Sequence, residues 1–178
     1  YEITANRAKI LKNNGYLLVG RYLTNVEGGT LNKRIHEGEL ETIFNAGLKV
    51  FPIYQENGRE IDNFNFYHGL EDANKAINAA KEYGFPKNTT IFFAVDMDLY
   101  EDQIHSNIVP YFRAIKATFD GDSCYKTGVY GSRKLCSILY ENKLIEHIFL
   151  ADASYRFEGN VAKKIPNAWN YDQYSTDV

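Results

Sequence analysis

Amphipathic stretches and short apolar runs alternate along the whole chain. Apolar residues recur at helical spacing in five segments, residues 3–14, 37–45, 70–83, 102–119 and 133–141. Runs rich in β-branched and aromatic residues predict six strands, at residues 16–22, 48–54, 90–96, 126–130, 147–153 and 168–174. Several of these runs carry few polar residues, which is typical of strands buried on both faces of a parallel sheet. The pattern therefore predicts an α/β architecture.

Glycine and proline residues mark the ends of several elements. Gly15 ends the first helix, and Gly84 ends the third. We expect residues 120–122, Asp-Gly-Asp, to form a turn before the fourth strand. Pro52 has no backbone N–H and is therefore expected near the end of its strand.

The α/β pattern fits a barrel better than a nucleotide-binding sheet, because neither familiar Gly-rich phosphate loop is present. The predicted fold is a TIM-like (β/α) barrel. A complete barrel usually takes about 250 residues and rarely fewer than about 200. At 178 residues, the chain is expected to lack the first and last strands. Residues 1–178 are accordingly predicted to be a single barrel domain, part of a longer protein.

Composition narrows the range of functions. Net charge is −3, which gives no electrostatic case for a nucleic-acid partner. No stretch approaches the roughly 20 apolar residues of a membrane span, so no membrane insertion is expected.

Cys124 and Cys136 are predicted to be free thiols. A strand and the start of a helix are predicted between them, and a strand climbs about 3.3 Å per residue whereas a helix descends only about 1.5 Å per residue. The two cysteines should therefore lie too far apart for a disulfide bond. The four histidines lie apart in the sequence, so we expect no metal site and no cofactor.

Asp96 and Asp98 form the strongest local signal for chemistry. They end the most apolar strand at positions i and i+2, so both side chains are expected on one side, at the carboxyl end where barrel enzymes hold their active sites. Repulsion between two close carboxylates would raise one pKa and make that group a proton donor. Glycoside hydrolysis uses such a pair. A helix-capping or turn role for Asp98 and a divalent-cation site remain open.

Other polar and aromatic side chains lie at or near the ends of the remaining strands. Those predicted to bind substrate are Arg21, Tyr54, Gln55, Tyr130, Asp152, Trp169 and Gln173. Tyr22, Tyr171 and Asp172 are weaker candidates of the same kind. For three residues an ordinary structural role is an alternative: a buried ion pair for Arg21, a core position for Tyr130 and a buried acceptor for Asp152. Their shared position at strand ends is what suggests one site.

Several motifs occur in a fixed order along most of the chain, from about residue 15 to 174. They are Val19-Gly-Arg-Tyr-Leu23, Phe51-Pro-Ile-Tyr-Gln55, Ala73-Asn-Lys-Ala76, Gly84-Phe-Pro86, Ile91-Phe-Phe-Ala-Val-Asp-Met-Asp98, Tyr111-Phe-Arg113 and Gly128-Val-Tyr-Gly131. Together they resemble the bacterial glycoside-hydrolase-like domain of unknown function that is related to the family 25 lysozymes (muramidases).

That resemblance implies a TIM-like barrel, a carbohydrate ligand with peptidoglycan foremost, and a secreted or cell-wall-associated location. By similarity, Asp96 and Asp98 match the Asp-x-Glu motif of the lysozymes, in which the Glu is the proton donor. Asp98 is one methylene shorter than that Glu. Residues 169–175 resemble the Trp-Gln-Tyr-Ser strand of the lysozymes with three residues inserted. The lysozyme strands that carry two further Asp residues have no counterpart here.

Three functions follow as hypotheses. The first is a glycosidase acting on bacterial cell-wall glycan, with Asp98 as general acid and Asp96 as its partner carboxylate. The alternative is a non-catalytic carbohydrate-binding module on the same scaffold, which the shorter Asp98 favours. The third is a domain that contacts partner proteins through an exposed apolar patch.

Overall fold

The computed structural model describes residues 2–26, 28–56, 60–122 and 124–176. Its helices are α1 (Ala5–Asn13), α2 (Glu39–Asn45), α3 (Phe66–Glu82), α4 (Glu101–Gln103), α5 (Val109–Asp122) and α6 (Arg133–Glu141), with a 3₁₀ turn at Ile61–Asn63 and a π-helical turn at Ile104–Ile108 that joins α4 to α5. Its strands are β1 (Leu18–Tyr22), β2 (Lys49–Tyr54), β3 (Thr90–Ala94), β4 (Lys126–Gly131), β5 (His147–Leu150) and β6 (Trp169–Asp172).

The six strands form one parallel sheet in the order β1-β2-β3-β4-β5-β6, which follows the common tendency of consecutive strands to lie side by side. The sheet is strongly curled, because Phe51 of β2 stacks on Tyr171 of β6 at 4.8 Å between ring centroids although three strands separate them. Pairing between β2 and β3 begins at Ile53, the residue after Pro52, which lies inside β2 rather than at its end.

The prediction of a TIM-like barrel is wrong, because the curled sheet is an open half-barrel. Within the described residues β1 pairs with β2, β5 pairs with β6, and β1 and β6 do not pair with each other. Six strands are too few to complete an eight-stranded circuit. The last strand is also only four residues long and shifts register against β5 after Ile148.

Aromatic rings fill the concave face of the sheet. Phe51, Phe92, Phe149 and Tyr171 contact one another edge-on or stacked, with centroids 4.8 to 6.1 Å apart. Gly128 leaves room for this layer, since a Cβ there would lie 2.7 Å from the Phe92 ring. The half-barrel therefore holds a packed interior despite its open side.

The helices cover the convex face, and α3 packs closely on α5. Ala73, Ala76 and Ala80 of α3 are buried. At Gly69 the two helices approach so closely that a Cβ would lie 2.4 Å from the carbonyl oxygen of Tyr111. Asn65 caps α3 by accepting the backbone N–H of His68, so this helix begins four residues before its predicted start.

Two smaller predictions have different outcomes. Residues 120–122 belong to the last turn of α5 rather than to a turn before β4. Cys124 and Cys136 are free thiols, the first partly exposed and the second buried. In the described residues, no helix is both long and apolar enough to cross a bilayer.

Candidate functional site

The carboxyl ends of the strands bring several of the predicted residues together. Tyr130 of β4 donates its hydroxyl to Oε1 of Gln173, just after β6, at 2.7 Å. The same Tyr130 ring packs on Phe149 at 4.9 Å, so it stands on the aromatic layer of the concave face. Gln55, just after β2, accepts the ammonium of Lys33 at 2.8 Å. Three of the predicted binding residues thus lie at one edge of the sheet.

Asp96 follows directly from the end of β3. The ladder runs one residue past Ala94, because the N–H of Val95 donates to the carbonyl of Tyr130 at 2.9 Å. Strand alternation then places Asp96 on the same side as Phe92 and Ala94, above the aromatic layer. Its side chain is partly buried.

Asp98 has a different environment from Asp96. It is exposed, and its Oδ1 accepts the backbone N–H of Glu158 at 2.7 Å. Lys134 strengthens the same junction, with its ammonium 3.1 Å from Glu101 and 3.3 Å from Glu158. Asp98 therefore joins the loop after β3 to the loop after β5.

Asp152, after β5, is held in a two-pronged ion pair. Arg133 donates from Nε to Oδ1 at 2.8 Å and from Nη2 to Oδ2 at 2.6 Å. The hydrogen bond that Arg133 donates to Asp152 raises the pKa of Arg133. Burial, and then the charge of Asp152, raise the pKa of Asp172, whose Oδ1 is buried without a hydrogen-bond partner among the described residues. Asp152 is thus engaged within the protein rather than presented to a ligand.

Arg21, Tyr54 and Trp169 are not brought to the concave edge. Arg21 lies on the convex side, where its Nε and Nη2 donate to Glu39 at 2.6 and 3.1 Å, which is the buried ion pair considered as its alternative. Tyr54 is 1% exposed, with its ring packed on Phe93. Trp169 is exposed but starts β6, away from the carboxyl ends.

Lys33 is a polar residue of this edge that sequence reasoning missed. Its ammonium lies 4.2 Å from the centroid of the Tyr22 ring, besides its hydrogen bond to Gln55. Lys33 comes from a loop without hydrophobic periodicity, so no signal in the sequence predicts its position.

A polar pocket of about 240 Å³ lies beside this edge, between the end of β2, the 3₁₀ turn, α3 and α5. Its floor is Asp72, which accepts the hydroxyl of Tyr54 at 3.0 Å on Oδ1 and that of Tyr111 at 2.7 Å on Oδ2. Burial raises the pKa of Asp72, and the two tyrosine hydrogen bonds only partly offset this. The remaining lining residues, within the part of the chain that the structure describes, are Val26, Gln55, Glu56, Asn63, Phe64, His68, Glu71, Lys75 and Ala94.

Asp72 is the second residue that sequence reasoning missed, although a signal for it exists. It lies three residues after Gly69 and four before Ala76, within the buried stripe of α3. A carboxylate on the buried stripe of an amphipathic helix needs hydrogen-bond or ion-pair partners. The position of Asp72 in the sequence therefore identifies it as a candidate site residue. The pocket's carboxylates do not gather for a metal, because no group of three or more His, Cys, Asp or Glu among the described residues could hold one.

Comparison with known proteins gives a family match over nearly the whole chain. The sequence model of one protein family, the Rv2525c-like, glycoside hydrolase-like domain, matches residues 9–178. In Bacillus subtilis (strain 168), the uncharacterized protein FadG is 48% identical over 177 residues, which are 98% of this chain and 31% of FadG. The uncharacterized protein YbfG of the same organism is 44% identical over 181 residues, 97% of this chain and 25% of YbfG. The chain thus spans between a quarter and a third of the length of these curated relatives.

Solved structures share the fold. The Tat-secreted protein Rv2525c of Mycobacterium tuberculosis, crystallised with HEPES, superposes with a TM-score of 0.77 at 21% identity, covering 93% of this chain and 81% of that one. An uncharacterized protein of B. stearothermophilus gives a TM-score of 0.64 at 22% identity, covering 90% of this chain and 78% of its own. At these identities the likeness establishes a common fold and nothing more.

Proposed function

The chain belongs to the family of Rv2525c-like, glycoside hydrolase-like domains, and from that premise we propose that it binds and hydrolyses the glycan of bacterial peptidoglycan. The site is the carboxyl edge of the half-barrel. Asp98 is the general acid, and Asp96 is the carboxylate that stabilises the oxocarbenium-like transition state or positions water. Gln55, Tyr130 and Gln173 bind the sugar hydroxyls.

The position of Asp96 carries most weight for this proposal. A partly buried carboxylate directly continues the most apolar strand, on the concave side above a floor of aromatic rings. Aromatic faces beside a few polar groups suit sugar rings, which are apolar on their faces and polar at their rims. The Tyr130–Gln173 hydrogen bond supplies such polar groups next to that floor.

We also propose that the protein acts outside the cytoplasm. Its structural neighbour Rv2525c is a Tat-secreted protein. Peptidoglycan lies outside the cell membrane, so the proposed substrate requires the same location.

A non-catalytic glycan-binding domain is the second candidate, and one observation favours it. Asp98 is exposed, and one of its carboxylate oxygens is already occupied by the N–H of Glu158. An acid catalyst usually sits in an environment that favours its protonated form. In this alternative Asp98 joins two loops, and the edge binds glycan without cleaving it.

The test compares wild type, Asp96→Asn, Asp98→Asn and Asp98→Ala on purified peptidoglycan, with reducing ends counted and co-sedimentation measured. Asn at position 98 removes the acid but keeps an oxygen that can accept the N–H of Glu158, whereas Ala removes both. If the proposal holds, all three variants lose roughly 100-fold or more of wild-type hydrolysis. Asp120→Asn, in the last turn of α5 and far from the site, should retain it.

The outcomes separate the two candidates. Binding without reducing ends in the wild type identifies the non-catalytic domain. Full hydrolysis by Asp98→Asn excludes Asp98 as the acid. If Asp98→Ala alone loses activity, Asp98 acts through the loop junction and not through its proton.

A further inference from the structure

The aromatic side chains that are most exposed to solvent follow the carboxyl ends of strands. They are Tyr67 after β2, Tyr100 after β3, Tyr155 after β5 and Tyr174 after β6. Their exposed fractions lie between 66% and 83%, whereas none of the other described aromatic residues exceeds 54%. Single exposed apolar residues are common on protein surfaces. A concentration of the most exposed rings after strand ends points instead to a shared role at the edge that holds the proposed site.

Tyr100 and Tyr155 belong to the two loops that Asp98 joins. Tyr100 is two residues after Asp98, and Tyr155 is three residues before Glu158, whose backbone N–H donates to Oδ1 of Asp98 at 2.7 Å. Each of the two tyrosines therefore lies within three residues of the junction at the proposed acid. Tyr174, in contrast, lines a recess beside α1.

The backbone of Tyr100 is held in place although its ring is exposed. Leu99, the preceding residue, is 2% exposed and packs in the core. The N–H of Tyr100 donates to Oε1 of Gln103 at 3.0 Å, and its carbonyl accepts the N–H of Ile104 at 3.1 Å. A tyrosine ring has only two torsion angles to fix, so on such a backbone it loses little conformational entropy when a ligand covers it.

A buried asparagine holds the loop that carries Tyr155. Asn160 is 5% exposed, and its Nδ2 donates to the carbonyl oxygens of Ala151 and Ser154, each at 3.0 Å. Its Oδ1 accepts the N–H of Arg133 at 2.8 Å, which ties the loop to the start of α6. Tyr155 is therefore presented to solvent from a loop with a fixed backbone, as Tyr100 is.

Charged groups at the junction decide which kind of ligand fits. Glu101 and Glu158 both pair with the ammonium of Lys134, at 3.1 and 3.3 Å. An apolar protein surface or a lipid bilayer that covered both rings would remove these charges from water, which opposes binding. A glycan avoids that cost, because sugar rings present apolar faces to the tyrosines and hydroxyls to the charged groups.

We propose that Tyr100 and Tyr155 are stacking platforms for a glycan strand that extends beyond the cleft, on the side of Asp98. The inference rests on the proposed function for the identity of the ligand and for the role of Asp98. A general acid protonates the oxygen of the leaving group, so sugars bound beside Asp98 belong to the leaving-group half of the strand. The substrate is accordingly a polymer, and short fragments that end within the cleft miss both platforms.

The test measures how tightly the protein binds glycan strands of peptidoglycan that are freed of stem peptides and separated into a disaccharide fraction and a long-strand fraction. Calorimetry is done on a parent protein that carries Asp96→Asn, so that strands are not cleaved during the titration. We expect Tyr100→Ala and Tyr155→Ala, each added to this parent, to bind long strands about 3- to 10-fold more weakly. Their affinity for the disaccharide should equal that of the parent.

Two control variants accompany these substitutions. Tyr100→Phe keeps the ring and should therefore keep the affinity for long strands. Tyr140→Ala removes a tyrosine that is 43% exposed in the last turn of α6, away from the carboxyl edge, and should also leave the affinity unchanged. All the replaced side chains are exposed, so we expect every variant to fold normally.

Long-strand affinity that is unchanged in both alanine variants, or reduced as much in Tyr140→Ala, overturns the inference and leaves the proposed function standing. Equal losses in Tyr100→Phe and Tyr100→Ala overturn stacking at that position. If the parent binds neither fraction and the wild type releases no reducing ends, the proposed function fails and the inference fails with it. Weaker binding of long strands alone in the two alanine variants supports the platforms, and it does so even if the wild type binds glycan without hydrolysing it.

Discussion

Arg21 and Glu39 form a buried ion pair that ties β1 to α2, with the two side chains 4% and 0% exposed. Burial acts to raise the pKa of Glu39, but hydrogen bonds from Arg21 and from the N–H groups of His36 and Ile3 outweigh it and lower the pKa below its usual 4.5. The ionised carboxylate is thus fully engaged in the folded state.

Replacing Arg21 by Leu would leave Glu39 buried without its cation. We expect the free energy of unfolding to fall by roughly 3–5 kcal/mol, measured by urea denaturation at pH 7. Because the pKa of Glu39 is lowered on folding, its stabilisation is present above 4.5 and is lost as pH falls through the folded value. The difference between Arg21→Leu and wild type should therefore shrink at pH 3. An equally small loss in Arg21→Leu and in the exposed-site control Arg113→Leu would contradict this account.

The two cysteines should differ in reactivity. Cys136 is fully buried, burial raises the pKa of its thiol, and its Sγ lies 3.5 Å from the carbonyl oxygen of Gly131. Since the thiolate is the reacting species, alkylation of the native protein should label Cys124 alone, and urea should release the second thiol. Mass spectrometry counts the labels, with Cys124→Ser as control. Two labels added at one rate in the native protein would show that Cys136 is accessible.

At single positions, the sequence predicted the edge residues that lie at or just after the ends of strands. It missed the residues that loops and helices bring to the same region. Asp96, Gln55, Tyr130 and Gln173 lie at the carboxyl edge because strand period fixes where they emerge. Lys33 reaches the same edge from an irregular loop, and the sequence around it has no pattern that predicts this position. Whether a strand-end residue faces the cleft or the helices, as with Asp152, depends on partners such as Arg133 that are distant in sequence.

At the level of elements, the contact between α3 and α5 depends on one glycine. Gly69→Ala would place a methyl group 2.4 Å from the carbonyl oxygen of Tyr111 and 2.9 Å from Cβ of Ala114, so the helices must separate. We expect a loss of roughly 1–3 kcal/mol, seen as a lower melting temperature.

Gly121→Ala is the matched control for this prediction. It is also a helical glycine, but a Cβ there would meet nothing within 4 Å. The higher helix propensity of Ala should leave stability unchanged or raise it by up to about 1 kcal/mol. A similar effect of both substitutions would mean that helix propensity, and not the α3–α5 contact, sets the response.

Hydrophobic periodicity predicted the elements well, because each has its own local pattern. All six strands and the helices at α1, α2, α3, α5 and α6 lie where the pattern indicates. The errors lie at helix ends, where a capping residue or a helix that continues through an expected turn sets the boundary. Asn65 starts α3 before its apolar stripe begins, and α5 continues through Gly121, where Asp-Gly-Asp suggested a turn.

For the whole molecule, the sequence predicted a parallel α/β sheet but not its degree of closure. Closure depends on whether the first and last strands meet, which is a contact between the two ends of the chain and leaves no local pattern. Side chains of β2 and β6 contact each other within the aromatic layer. In the described residues, however, the outer edge of β1 is paired only through an isolated β-bridge between Tyr22 and Arg34.

The strictly sequential order of the strands has a consequence for how the protein acquires its structure. Each pair of neighbouring strands in the sheet is also consecutive in the chain. No pairing needs to span more than one crossover connection, so the entropy lost on closing each loop stays small. During synthesis, each strand and its helix can join the exposed edge of what has already formed, as soon as they leave the ribosome. An open sheet assembled in this way can become ordered from its amino-terminal end while the remainder of the polypeptide is still being made.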